Sequence, residues 1–281
     1  MIKIRFSFIV TALAMVLLGF GRVFIVLLVS VTLHELAHVL TARKFGARVE
    51  GINFTALGEA AVLRRMEFMC GWQRLVTLLS GPALNLLIGL AAGVHYAAAP
   101  GFPFADVVYT AGKYNILLFV LNMTPVFPLD GGRIAQLILG GMIGVPRANK
   151  IIVRLGSIIG VPLIALGFAY AVLYTCNISL ICVGLYIIRV NRRIMLPLAF
   201  EFFQSMINKA EQIKSKGALP VRMLYADGAF PLQRALERLT TDHMTLFLLE
   251  GDNHAAFSET ELINHIMKNG FNGTVGNLLD A

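Results

Sequence analysis

Six apolar stretches of this 281-residue chain, at about residues 6–20, 22–42, 73–98, 107–128, 151–173 and 176–194, are each near the length that a spanning helix needs. No other feature constrains the fold as strongly, because a backbone in hydrocarbon must satisfy its own polar groups and therefore coils into helices. A mean hydropathy of +0.73 with only 14% charged residues points the same way. The expected class is a polytopic α-helical membrane protein, not a soluble enzyme with a large core.

The formal net charge of +8 could suggest a polyanionic partner, but its distribution argues otherwise. Residues 1–195 hold 17 Lys/Arg against 6 Asp/Glu, whereas residues 196–281 hold 7 against 10. Six crossings with both termini in the cytosol place every Lys/Arg of the membrane part inside except Arg22 and Lys113, which is the positive-inside pattern. The excess therefore orients the chain, and no nucleic-acid partner is expected. The first span shows no small-residue cleavage site after it and reads as retained. Cys70, Cys176 and Cys182 lack both C-x-x-C spacing and an even count, so they indicate neither a disulfide framework nor a zinc ribbon.

The second span contains His34-Glu35-Leu36-Ala37-His38, ionisable groups in a place where they are costly. Chance supplies an H-E-x-x-H run roughly 0.005 times in a chain of this composition, so accident is a poor account. His34 and His38, four residues apart, share one helix face and can grip one metal ion, with Glu35 able to reach a water held there. A structural metal, a haem or a di-iron site would also draw on His and Glu carried by helices. The span runs from outside to inside, which places the metal nearer the cytosolic face.

Between spans two and three, Val49 to Arg64 mixes short apolar runs with Gly51 and Gly58, suiting strands or a re-entrant loop better than another helix. Such an edge beside the site could take a substrate segment as an added strand; the alternative is an ordinary cytosolic loop. Trp72 and Arg74, at the start of span three, fit an interfacial anchor.

A second motif, Asn122-Met-Thr-Pro-Val-Phe-Pro-Leu-Asp130-Gly-Gly-Arg133, puts two prolines and a glycine pair into the fourth apolar stretch, so the helix must break there. Asp130 is the natural third ligand, since two histidines and one carboxylate leave a fourth position on tetrahedral zinc for water. Glu35 would act as general base and return a proton to the leaving amine. Asn122 either hydrogen-bonds the substrate carbonyl or satisfies the broken helix.

H-E-L-A-H at 34–38, S-G-P-A-L-N at 80–85 and N-x-x-P-x-x-P-L-D-G-G at 122–132 together resemble the site-2 protease family of zinc intramembrane metalloproteases. The resemblance implies His34, His38 and Asp130 as zinc ligands and Glu35 as catalytic base. It also implies a conformationally permissive turn at Gly81-Pro82, with Asn85 near the site or simply packing a helix.

After the sixth span the chain changes character. A membrane domain at 1–195 gives way to a charged amphipathic linker helix at 196–216, strongest from Glu201 to Lys216, and a small cytosolic α/β module at 217–281. The module's strand-helix-strand-strand-helix pattern resembles a single CBS domain. The resemblance implies pairing with a second chain or a partner and adenine-nucleotide (ATP) binding, with Ser258 and Glu261 where a phosphate contact and a ribose-binding carboxylate fall; Glu replaces the usual Asp. Six spans ending in one such module resemble the sporulation branch of the family. That likeness implies removal of the membrane-associated pro-sequence of a sigma-K-type factor, inhibitory membrane partner proteins, and a forespore or mother-cell membrane.

The expected function is thus a zinc endopeptidase cleaving a membrane-associated protein near the cytosolic face. A membrane metal transporter would also place His and Asp in spans but would not need Glu35 as a base. A regulatory membrane scaffold would survive loss of His34 and depend on residues 197–281.

Overall fold

The computed structural model describes residues 2–4, 13, 16–17, 19–55, 58–64, 69–99, 101–173, 179–250 and 255–278. Most of the first expected crossing, 6–20, lies outside the described residues. The chain forms two compact units, Met1–Thr124 with Leu129–Ile134, and Pro125–Pro128 with Ala135–Ala281.

The first unit is built on helices α1 (Gly21–Lys44), α2 (Gly71–Ala98) and α3 (Ala105–Asn122). The chemistry of the sequence sets where α1 stops. Arg43 and Lys44 lie in its last turn, favourable at the negative end of the helix dipole, and Gly46 follows at φ +87°, where a side chain would be strained. The Gly46 N–H donates to the Arg43 carbonyl and the Ala47 N–H to the Ala42 carbonyl, closing a Schellman motif. Ala42 and Ala47 then pack together with Met69.

The segment left open between strands and a re-entrant loop is a β-hairpin, β2 (Arg48–Thr55) antiparallel to β3 (Gly58–Arg64). A third strand, β1 (Ile2–Ile4), pairs parallel to β2 with Ile2 opposite Ile52. It was not anticipated, because three residues are too few to show an alternation.

Helices α2 and α3 approach closely through small residues: a Cβ on Gly89 would stand 2.7 Å from Ile116 Cγ1. Between α1 and α3 the Asn115 amide donates to Ser30 Oγ at 2.8 Å, both residues being buried. Helix α3 ends at Asn122 and α4 (Asp130–Ile143) begins after seven intervening residues, so the fourth apolar stretch is interrupted as its prolines require.

In the second unit, α5 (Val145–Leu173) and α6 (Ser179–Ile207) pack along Gly156, Gly160, Gly167 and Gly184. Asn191, fully buried on α6, occupies the space left by Gly156 and donates to the Ile187 carbonyl and, at 3.4 Å, to the Phe127 carbonyl. Among the described residues, α1, α2 and α5 are each long and apolar enough to cross a membrane. Helix α6 runs on well past the expected end at 194 with Pro197 inside it, so the first half of the expected linker continues that helix.

The rest of the linker is α7 (Lys209–Lys216), and it is not a solvated charged helix throughout. The Lys209 ammonium is 2% exposed; it donates to the carbonyls of Thr240 and His243 and to Glu259, whose other oxygen accepts the Thr245 N–H. Burial holds the Lys209 ammonium below its usual range, opposed by the Glu259 charge. The module that follows runs β4 (Val221–Ala226), α8 (Leu232–Leu236), β5 (Met244–Leu249), β6 (Ala256–Ser258) and α9 (Glu259–Asn269), with β5 central in its sheet. Its core, including Leu232, Phe247 and Leu262, is continuous with Val145, Phe202 and Met206.

Lys209→Met removes one partner of a buried ion pair and strands the Glu259 carboxylate, at an expected cost of about 3–5 kcal/mol. Amide exchange of Thr245, whose N–H depends on that carboxylate, should speed up by orders of magnitude. Unchanged exchange would mean that Glu259 is held without Lys209.

Candidate metal centre

His34 and His38 lie on α1, four residues apart and both buried. Their rings meet edge to face, centroids 4.7 Å apart, and their Nε2 atoms stand 3.0 Å from each other. Asp130, the first residue of α4, brings Oδ2 to 3.0 Å from His34 Nε2 and 3.2 Å from His38 Nε2. Among the described residues this is the cluster of His, Cys, Asp or Glu that could hold a metal ion.

The chemistry of the donor set fits zinc. Four ligands at about 2.0–2.1 Å around a tetrahedral ion stand about 3.3 Å apart, close to the edges of this triangle. His38 Nδ1–H donates to the Thr77 carbonyl at 2.7 Å, which leaves Nε2 with a lone pair. Two ring nitrogens and a carboxylate oxygen converging at such distances could hold a cation between them.

Asp130 is held in place by backbone. A Cβ on Gly131 would fall 2.5 Å from the Met123 carbonyl oxygen, so the turn after α3 closes only on glycine. The Leu129 carbonyl accepts from Gly132 N–H at 3.0 Å and starts α4 directly at the ligand. A carboxylate at that position also meets the positive end of the helix dipole.

The resemblance led to a Gly81-Pro82 turn; the structure instead places both residues inside α2, which runs unbroken from Gly71 to Ala98. The glycine is required for room. A Cβ on Gly81 would lie 2.7 Å from His34 Nε2 and nearer still to His38 Nε2. Thr77, Gly81 and Asn85, spaced by four, thus form one face of α2 along the two histidines. Thr77 serves His38, Asn85 lies 3.0 Å from His34 Nδ1, and Gly81 stands between them. Sequence reasoning missed Thr77 and gave Gly81 the task of a turn; the four-residue period on either side of Gly81 was the available signal.

Glu35 is half-buried on α1, outside the ligand triangle. Asn122 is the half-buried last residue of α3, with no side-chain hydrogen bond seen among the described residues. Ser258 and Glu261 lie far along the chain in the module, where they form a capping box at the start of α9. Ser258 Oγ accepts the Glu261 N–H at 3.3 Å, and Glu261 Oε2 accepts the Ser258 N–H at 2.6 Å.

Comparison with known proteins bears on the same region. The family model described as Peptidase family M50 matches residues 22–106 and 94–163. A zinc metalloprotease of Methanocaldococcus jannaschii is 31% identical over 172 residues, 58% of this chain and 46% of the relative. Stage IV sporulation protein FB of Bacillus subtilis is 23% identical over 146 residues, 52% of this chain and 50% of the relative. The chain therefore spans about half the length of these curated relatives. The solved site-2 protease from Methanocaldococcus jannaschii is similar with a TM-score of 0.54 and 27% identity, covering 68% of this chain and 89% of that one.

Proposed function

This chain belongs to peptidase family M50, and from that premise we propose that it is an intramembrane zinc endopeptidase. The observation that carries the reading is the triangle of His34 Nε2, His38 Nε2 and Asp130 Oδ2, with sides of 3.0–3.2 Å. These three residues would hold zinc, which when bound supplies a Lewis acid that polarises a carbonyl and acidifies water. Glu35, one position beyond His34 and outside the triangle, takes the proton from the attacking water and passes it to the leaving amine. Asn122, beside the break that leads to Asp130, donates to the substrate carbonyl or backbone. Thr77 and Gly81 keep the ligands in register.

The finer reading goes with this one. Six crossings with both termini cytosolic would put the site near the cytosolic face, and the substrate would be the membrane-associated pro-sequence of a sigma-K-type factor. Its support is the motif resemblance, together with likeness to a protein named for sporulation stage IV. The CBS-like module would bind substrate or report ATP, and inhibitory membrane proteins would restrain the enzyme. The nucleotide role of Ser258 and Glu261 rests on resemblance, since their capping box already gives both side chains a structural task.

The test is cleavage of a membrane-tethered pro-sigma-type substrate by the purified full chain before and after metal removal. Chelation should stop cleavage, and one equivalent of zinc should restore it. Cleavage by metal-free protein at the original rate would refute the enzyme proposed. Failure to cleave this substrate, with zinc bound and other membrane substrates cut, would refute only the sigma-K reading.

A further inference from the structure

The two ligand histidines are buttressed differently, and the difference assigns a task to Asn85. His38 Nδ1 faces the Thr77 carbonyl at 2.7 Å, a group that can only accept, so its tautomer is fixed. His34 Nδ1 faces a side-chain amide, with Asn85 Nδ2 at 3.0 Å. An amide presents nitrogen or oxygen to the same point after a half-turn about its last torsion. Asn85 is 0% exposed, and its Oδ1 finds no hydrogen-bond partner among the described residues.

The two orientations demand opposite tautomers of His34. With the amide nitrogen donating to Nδ1, the proton of the neutral ring sits on Nε2, where it can bond Asp130 Oδ2 at 3.0 Å. A ring in that state has no lone pair for a metal. With the amide oxygen toward the ring, Nδ1–H donates to Asn85 and Nε2 is left free as a ligand.

We propose that Asn85 is the positioning residue of the metal centre that sets the His34 tautomer, its amide oxygen accepting Nδ1–H so that Nε2 is left free as a ligand. The inference rests on the metal reading above and adds to it.

The test is zinc affinity of the full-length protein in detergent by chelator competition, with ¹⁵N NMR of the histidine rings. Asn85→Asp, isosteric and acceptor-only, should bind zinc at least as tightly as wild type and hold His34 as the Nδ1–H tautomer even without metal. Asn85→Leu should lose about 10–100-fold in zinc affinity. Wild-type zinc affinity in Asn85→Leu, or a fall in a folded Asn85→Asp equal to that of Asn85→Leu, would overturn the proposal. Where Asn85→Leu does not fold, Asn85→Asp decides alone: retained zinc with Nδ1–H supports the assignment, and lost zinc rejects it. A wild-type protein that binds no zinc removes the metal reading and this inference together, whereas a zinc-binding wild type with indifferent Asn85 variants removes only this one.

Discussion

Glu35→Gln is expected to lower cleavage of a membrane-tethered substrate by about a thousandfold or more, with zinc content unchanged. The substitution keeps shape and hydrogen-bonding reach but removes the proton acceptor. A positioned general base is worth about 10²–10⁴ in rate, and here no second carboxylate stands in the triangle except Asp130, which is engaged by both histidines. Zinc should persist because Glu35 is not among the three converging ligand atoms. Single-turnover cleavage and metal analysis on the same preparation separate the two claims. Full cleavage by Glu35→Gln would refute the base assignment, while lost zinc would move Glu35 into the ligand set. A metal transporter would show a third pattern, with metal movement across vesicles unaffected by the change.

The parts of this site that sequence disclosed are those in which chemistry forces residue type. A metal needs His, Glu and Asp at fixed spacing, and such residues are conspicuous in an apolar span, so His34, His38 and Asp130 could be read together although 92 residues separate the last two in sequence. The helix break before Asp130 was legible for a similar reason, since Pro125 and Pro128 cannot continue a helix. The hairpin β2–β3 was half legible: Gly51 and Gly58 disfavoured another helix but did not choose between strands and a re-entrant loop.

What stayed hidden depends on which surfaces meet. Lys209 reads as one more charge of an amphipathic linker helix, and only the packed module shows it enclosed by Thr240, His243 and Glu259. Asn191 carries no signal in the sequence, yet it fills the space at Gly156. Gly81 was misread for a related reason. Glycine followed by proline signals a turn when water can take the freed backbone groups, but within an apolar span the helix carries straight through, and the glycine answers to a neighbouring helix.

Gly81→Ala tests that last point with effects of opposite sign. In the interior of a helix, alanine in place of glycine ordinarily adds up to about 1 kcal/mol of stability, so α2 itself should be firmer. The new methyl, however, would sit 2.7 Å from His34 Nε2 and closer to His38 Nε2, inside any permitted contact. The two rings are already fixed, His38 by the Thr77 carbonyl and His34 beside Asn85, so neither can retreat without giving up its Nδ1 partner. Overpacking of this kind costs as much as about 3 kcal/mol, which predicts a fall in zinc affinity of about a hundredfold and cleavage reduced to background at ordinary zinc levels. Metal-free protein, in which no ligand bond holds the rings and they can swing aside, should melt within a few degrees of wild type, the lost Nδ1 hydrogen bonds being offset by the gain in the helix. A loss of zinc affinity with metal-free stability kept or raised would assign Gly81 to the metal centre. A hundredfold loss accompanied by a collapsed metal-free fold would assign it to helix packing, and full zinc affinity would mean that α1 and α2 can part at this point without disturbing the ligands.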